Sequence, residues 1–258
     1  MEKAQEQKIK LDARTAFLKS AGEGRNLLII HGWGGSSDSW AKVQEHLAGS
    51  GFRVIVPDIP GFGKTPAPEQ VWGTDEYAAW IDALAGQLHL QSFVLLGHSF
   101  GGQMAIKYAL LHPDKVEKLI LVAPAAIRTK PGLKERVLSP IAKVLKLLLE
   151  LFPEHQRERI RAFGYKVIRR RDYSKAKGIM RKVFQKVIRE DLSPRFAYLR
   201  PETLLLWGKE DTLTPLREAH ELDQRLPHAT LKVFAQHGHN LHAEMPEELS
   251  KEIVKFLS

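Results

Sequence analysis

At 258 residues the chain has room for one domain, or one domain with a large insertion, and for a sizeable buried core. Its 43% hydrophobic and 27% charged content is that of a folded globular protein, and no apolar run reaches the roughly 18–20 residues that span a bilayer. The absence of cysteine excludes disulfides, thiolate metal sites and a cysteine nucleophile. The opening MEKAQEQKIK lacks the apolar core of a secretory signal, so a cytoplasmic location is expected.

In chain order, KIKLDART and AFLKS suggest an antiparallel pair at a sheet edge. Short apolar runs follow: LLII (27–30), RVIV (53–56), FVLLG (93–97), KLILVA (118–123), TLLLWG (203–208) and LKVF (231–234). Runs of this length read as strands buried on both faces, as in a parallel sheet covered by helices. Helical patterns lie between them, at 74–88 and 99–112. The alternation predicts a doubly wound, mostly parallel α/β fold.

The rhythm breaks between Ala126 and Pro201. There VLSPIAKVLKLLLELF, HQRERIRAFGYKVIRRR and AKGIMRKVFQKVIRE read as consecutive helices. In the last, Ile179, Val183 and Val187 recur every four residues, as do Met180, Phe184 and Ile188, giving one broad apolar face. The chain's net charge of +9 is concentrated here: residues 127–200 carry 21 Lys and Arg against 7 Asp and Glu, a balance of +14, which leaves −5 for the rest. The expected organisation is a core of residues 1–126 and 201–258 with an inserted helical unit at 127–200. No recognised nucleic-acid module occurs in the insertion, so nucleic acid is not the expected partner.

The chemistry centres on VLLGHSFGGQMAI (94–106), where a strand pattern turns at once into a helix pattern with a serine at the apex. Such a turn strains and exposes the Ser99 side chain, Gly97 and Gly101 let the backbone fold tightly, and the new helix aims its first N–H groups at whatever binds there. A serine needs a base, and the base an orienting acid, expected in the order Ser, Asp or Glu, His. KEDTLTP after one strand supplies Glu210 and Asp211; AQHGHNLHAEMP after the next supplies His237, His239 and His242. Both lie where ligands bind an open α/β sheet, beyond the strands' carboxyl ends.

With HGWGG (31–35), DIPGFG (58–63), GHSFGG (97–102) and the acid and histidine loops in this order, the chain resembles the α/β-hydrolase family over almost its whole length. The resemblance implies Ser99 as nucleophile, His239 as general base and Asp211 as the acid that orients it. Backbone N–H groups of Trp33 and Phe100 would form the oxyanion hole, and the insertion would be a cap over the pocket. Trp33 and Phe100, with Ile127, Val137 and Phe163 from the cap, are then candidates for the pocket lining. Serine at the elbow argues against halide removal and epoxide opening, for which relatives usually carry aspartate.

The implied activity is hydrolysis of small carboxylic esters through an acyl-enzyme, with no cofactor or metal, by a monomer or homodimer. A basic cap over an acidic body would favour anionic substrates. Carbon–carbon bond hydrolysis of the meta-cleavage type and methyl-ester hydrolysis on an acyl carrier protein use the same apparatus and stay open. So does a non-catalytic, ligand-binding relative. His98 reads as a residue that packs or hydrogen-bonds locally, His31 and Asp58 as residues that fix their own loop and turn, and His237 and His242 as loop residues. The spacing H-x-H-x-x-H invites a metal, but no H-E-x-x-H helix accompanies it. GFGKT (61–65) is not a phosphate loop, because Asp58 stands where the first glycine is required.

Overall fold

The computed structural model describes residues 4–11, 14–128 and 178–258. Eight strands form one sheet: β1 (Gln5–Leu11), β2 (Arg14–Ala21), β3 (Arg25–Ile30), β4 (Phe52–Pro57), β5 (Phe93–His98), β6 (Val116–Val122), β7 (Glu202–Gly208) and β8 (Ala229–Phe234), in the order β1-β2-β4-β3-β5-β6-β7-β8. The six strands from β3 onward pair in parallel, while β2 is antiparallel to both β1 and β4. Every apolar run named above is a strand, and the amino-terminal pair is present. One expectation needs correction. β8 is not buried on both faces: among the described residues it is an edge strand with no neighbour beyond it, and its residues alternate in exposure until Phe234.

Among the described residues the α-helices are α1 (Ala41–Ala48), α2 (Thr74–Gln87), α3 (Phe100–Leu111), α4 (Gly178–Val187), α5 (Leu216–Arg225), α6 (Leu241–Glu244) and α7 (Pro246–Leu257). Period-2 alternation divides the core. Leu28, Ile30, Leu95, Leu119 and Leu205 pack with residues of α2, α3, α4 and α5 on one side. Leu27, Ile29, Val94, Leu96, Ile120 and Leu206 pack with residues of α1, α6 and α7 on the other. A strand covered on both faces must be apolar at every position, which is why β3 to β7 are continuous apolar runs. Among the described residues no helix is long and apolar enough to cross a membrane.

Between β6 and β7 the described residues include α4, whose Val183 and Val187 enter the core. The other two predicted helical segments of this stretch lie outside the described residues, as do Val137 and Phe163. Arg128, before the undescribed stretch, donates from Nη2 to the Val187 carbonyl at 3.1 Å and to Gln103 Oε1 at 3.0 Å, and Gln103 Nε2 donates to the same Val187 carbonyl. Beyond α4, Glu190 receives Lys107 Nζ at 3.1 Å and the Thr74 hydroxyl.

Sequence order reverses beside β3, since β4 flanks it on one side and β5 on the other. The ends of β3 and β5 are therefore adjacent at the sheet's switch point, with Ile30 opposite Gly97. There α3 begins so close to β3 that a Cβ on Gly101 would lie 2.2 Å from the Ile30 carbonyl oxygen and 2.4 Å from that of His31. Both are main-chain atoms, one at the end of β3 and one at the start of the loop that follows. Gly101→Ala is expected to destabilise the fold by at least about 2 kcal/mol, read as a lower midpoint in urea unfolding.

Candidate active site

Ser99 occupies the apex between β5 and α3 with φ 51° and ψ −116°, a conformation that side chains rarely adopt. Three bonds hold it there: its N–H donates to the Val122 carbonyl at 3.0 Å, and its own carbonyl accepts from Gln103 N–H and Ala125 N–H. Gly97 makes the turn possible, because a Cβ there would meet the Gly101 carbonyl oxygen at 2.5 Å and Ala105 Cβ at 2.7 Å. The Ser99 side chain is half-buried at the mouth of the turn.

The loop after β3 runs past this apex. A Cβ on Gly32 would stand 3.3 Å from Ser99 Cβ, so the chain at Gly32–Trp33 lies against the serine. His31 fixes that loop: its Nδ1–H donates to the Gly32 carbonyl at 2.8 Å while Nε2 accepts from Ile59 N–H at 3.0 Å. Asp58 holds the next turn by accepting from Ser37 N–H and Lys64 N–H. Trp33 meets Phe62, Phe100 and Phe184 edge-on at centroid distances of 4.8, 5.2 and 4.8 Å. Phe100 and Ile127 are buried in the core on that side of the sheet.

The loops after β7 and β8 meet because Gly208 has no side chain; a Cβ there would fall 2.2 Å from the Gly238 carbonyl oxygen. Asp211 and His239 are brought together, with Nδ1 of the imidazole 2.7 Å from Oδ2. Asp211 also accepts from Leu213 N–H, Thr214 N–H and the Thr214 hydroxyl, the last at 2.7 Å. Burial opposes its ionisation, but the bonds from His239 and Thr214 outweigh that and hold its carboxyl below the usual range. Its rival Glu210 is exposed.

The neighbouring histidines have separate partners. His237 packs near Phe234, and His242 stacks on Trp40 at 4.6 Å. His242 belongs to α6 and is buried, which corrects its reading as a loop residue. Among the described residues no group of His, Asp and Glu is placed to hold a metal. Glu244 ties down the histidine loop by accepting from Gly238 N–H at 2.8 Å and Asn240 N–H at 3.2 Å.

Sequence reasoning missed Thr214, whose hydroxyl donates to Asp211 and lies 3.3 Å from His239 Nδ1. The only signal was its place three residues after the acid, where a short polar side chain can bond back within a turn.

This strained serine at a strand-to-helix turn, with an Asp–His pair on the loops after two later strands, is set in a fold that has counterparts among known proteins. A family model for the alpha/beta hydrolase fold matches residues 25–246, and the chain belongs to that family. It is similar to a 2-hydroxy-6-oxo-6-phenylhexa-2,4-dienoate hydrolase from Burkholderia cepacia, with 28% identity over 93% of this chain and 90% of the relative. It is also similar to a pimeloyl-[acyl-carrier protein] methyl ester esterase from Aeromonas hydrophila, with 30% identity over 92% of this chain and 96% of the relative. An esterase from Exiguobacterium antarcticum shares the fold with a TM-score of 0.74 at 23% identity, over 100% of this chain and 99% of that one.

Thr214→Val removes a bond to a buried carboxylate and is expected to cost about 1–3 kcal/mol in urea unfolding. A second expectation concerns pH. Burial lowers His31 and His242 to about 4 and His98 well below 6.5. Each binds its proton more readily unfolded, so their contribution is complete above about pH 6.5 and is lost as pH falls toward 4. Glu218 acts oppositely. Burial raises it to about 7 against the pull of Arg217 and Arg128, so its contribution falls as pH rises past about 4.5. The three histidines outweigh one carboxylate, and unfolding free energy should be at least about 2 kcal/mol lower at pH 4.5 than at pH 7.

Proposed function

We propose that the protein is a serine hydrolase that cleaves carboxylic esters. The observation that carries this reading is the 2.7 Å Asp211–His239 pair on the loops next to the strained turn at Ser99. Asp211 accepts the Nδ1 proton of His239, which leaves Nε2 as the proton acceptor. Ser99 Oγ attacks the ester carbonyl and its proton passes to Nε2. The oxyanion is met by the N–H groups of Phe100, at the start of α3, and Trp33. Collapse expels the alcohol with the proton held on His239. Water, deprotonated by His239, then attacks the acyl-enzyme and releases the acid and Ser99.

In this reading residues 127–200 form a cap over the pocket. It is supported by α4, which stands between β6 and β7 in sequence and sets Phe184 against Trp33. Val137 and Phe163 belong to the same proposed lining. The +14 balance of 127–200 against −5 for the remainder would draw anionic substrates, an attraction that weakens with salt.

A second reading, cleavage of a carbon–carbon bond in a dienoic acid or of a methyl ester on an acyl carrier protein, is favoured by the names of the two curated relatives. It keeps the same three residues.

The test is release of p-nitrophenol from p-nitrophenyl esters, acetate to laurate. Wild type should turn over at least one chain length, and Ser99→Ala should lose at least about 1,000-fold in kcat. Equal rates in the two proteins would remove Ser99 as nucleophile. Hydrolysis of a methyl ester or dienoate but of no p-nitrophenyl ester would select the second reading.

A further inference from the structure

We propose that His98 is a positioning residue, holding the catalytic loop over the elbow through a hydrogen bond from its Nε2–H to the main-chain carbonyl of His239. The proposal rests on the reading of Ser99 and His239 as nucleophile and base. The bond measures 3.0 Å, and since a carbonyl oxygen only accepts, the imidazole must donate. His98 is the residue before Ser99, so this contact between residues 141 positions apart ties the nucleophile's turn to the backbone of His239.

The fold explains why such a tie is needed. His239 follows β8, the exposed edge strand, whereas Ser99 follows β5 at the centre. Three strand spacings separate them, roughly 14 Å at about 4.8 Å each. The loop must cross that distance above β6 and β7. At its origin it is fastened by Glu244 and by Glu210 N–H, which donates to the His237 carbonyl. At its far end His98 receives it. A displacement of about 1 Å there would separate base from nucleophile, a loss worth up to about 100-fold in rate.

The surroundings leave His98 little freedom. It is 4% exposed, and its ring lies 4.9 Å from that of His239, 4.7 Å from His242 and 6.1 Å from Trp40. On its other edge, a Cβ on Gly32 would come 2.8 Å from Nδ1, so the loop before Trp33 closes over the ring as well. Burial, reinforced by His239, His242 and His31, disfavours a second proton, although the bond to the His239 carbonyl works the other way. A neutral ring with its single proton on Nε2 is the form that can make this bond. The side chain thus touches both loops that flank the serine.

The experiment compares wild type with His98→Leu, which fills the space without a donor, and His98→Gln, which carries an amide N–H to a similar reach. Two rates are read well below each protein's melting temperature: kcat and KM on the p-nitrophenyl ester turned over fastest, and the second-order rate of labelling by a fluorophosphonate. His98→Leu should lower kcat and labelling about 10- to 100-fold with KM within about threefold. His98→Gln should recover most of both, which a packing role alone would not produce. If His98→Leu does not fold, His98→Met makes the same comparison. Wild-type rates without the donor, or equal losses in the donor and donor-free variants, would overturn the proposal. Failure of wild type to label at all, or labelling that survives Ser99→Ala, would instead overturn the serine-hydrolase reading, and this inference with it.

Discussion

The rest of the site depends on one backbone constraint, the close approach of the first turn of α3 to the carboxyl end of β3. Gly101 lies so near the Ile30 and His31 carbonyls that no Cβ fits between them. To reach that position from β5 the chain must reverse within one residue, and Ser99 takes up the strain at φ 51°. Such a conformation costs on the order of 1–3 kcal/mol and persists only where the surroundings fix it. Here the bonds to Val122, Gln103 and Ala125 do so, and Ala123 carries a second positive φ, 45°, on the adjoining strand end. Two strained residues thus sit side by side at the ends of β5 and β6, next to the switch point of the sheet.

Around this turn most buried polar groups have defined partners, although Trp40 Nε1 and His242 Nδ1, on the rings packed against His98, have none among the described residues. Asp211 is stabilised as a carboxylate by four donors, whereas His31 and His98 are held neutral by burial and spend their single proton on a carbonyl. The ionised group and the neutral rings divide the work: Asp211 bonds the His239 ring, His31 holds the loop after β3, and His98 bonds the main chain at His239. Buried bonds of this kind specify geometry strongly, because the alternative is an unsatisfied polar atom in a low-dielectric interior.

Much of the fold was legible because strands covered on both faces cannot hide their apolar sequence. β3 to β7 are continuous runs, and the glycines around Ser99 mark the turn directly. β8 was legible as a strand but not as an edge, since LKVF does not reveal whether a neighbour lies beyond it. α1 was not singled out: AKVQEHLA is eight residues of mixed polarity whose helical register depends on packing against α7. Order and position along the chain narrowed the acid to Glu210 or Asp211 and the base to three histidines, and the family resemblance singled out Asp211 and His239. Thr214 and His98 could not be picked out. Thr214 acts through a local turn that many polar residues could make, and the partner of His98 is a carbonyl, an atom every residue possesses. A contact to main chain leaves no complementary residue type for sequence reading to find.

Arg128 and Val187 are 59 positions apart in sequence yet joined by a 3.1 Å hydrogen bond, with Gln103 of α3 bonded to both. The chain therefore leaves the sheet and returns to it at nearly one place. Closing a loop at fixed ends depends only logarithmically on what lies between, about 0.6 kcal/mol for each doubling of length. Changes in the length of chain between Arg128 and α4 therefore cost little in closure entropy. The sheet and whatever is inserted between these anchors can consequently change at different rates over evolutionary time.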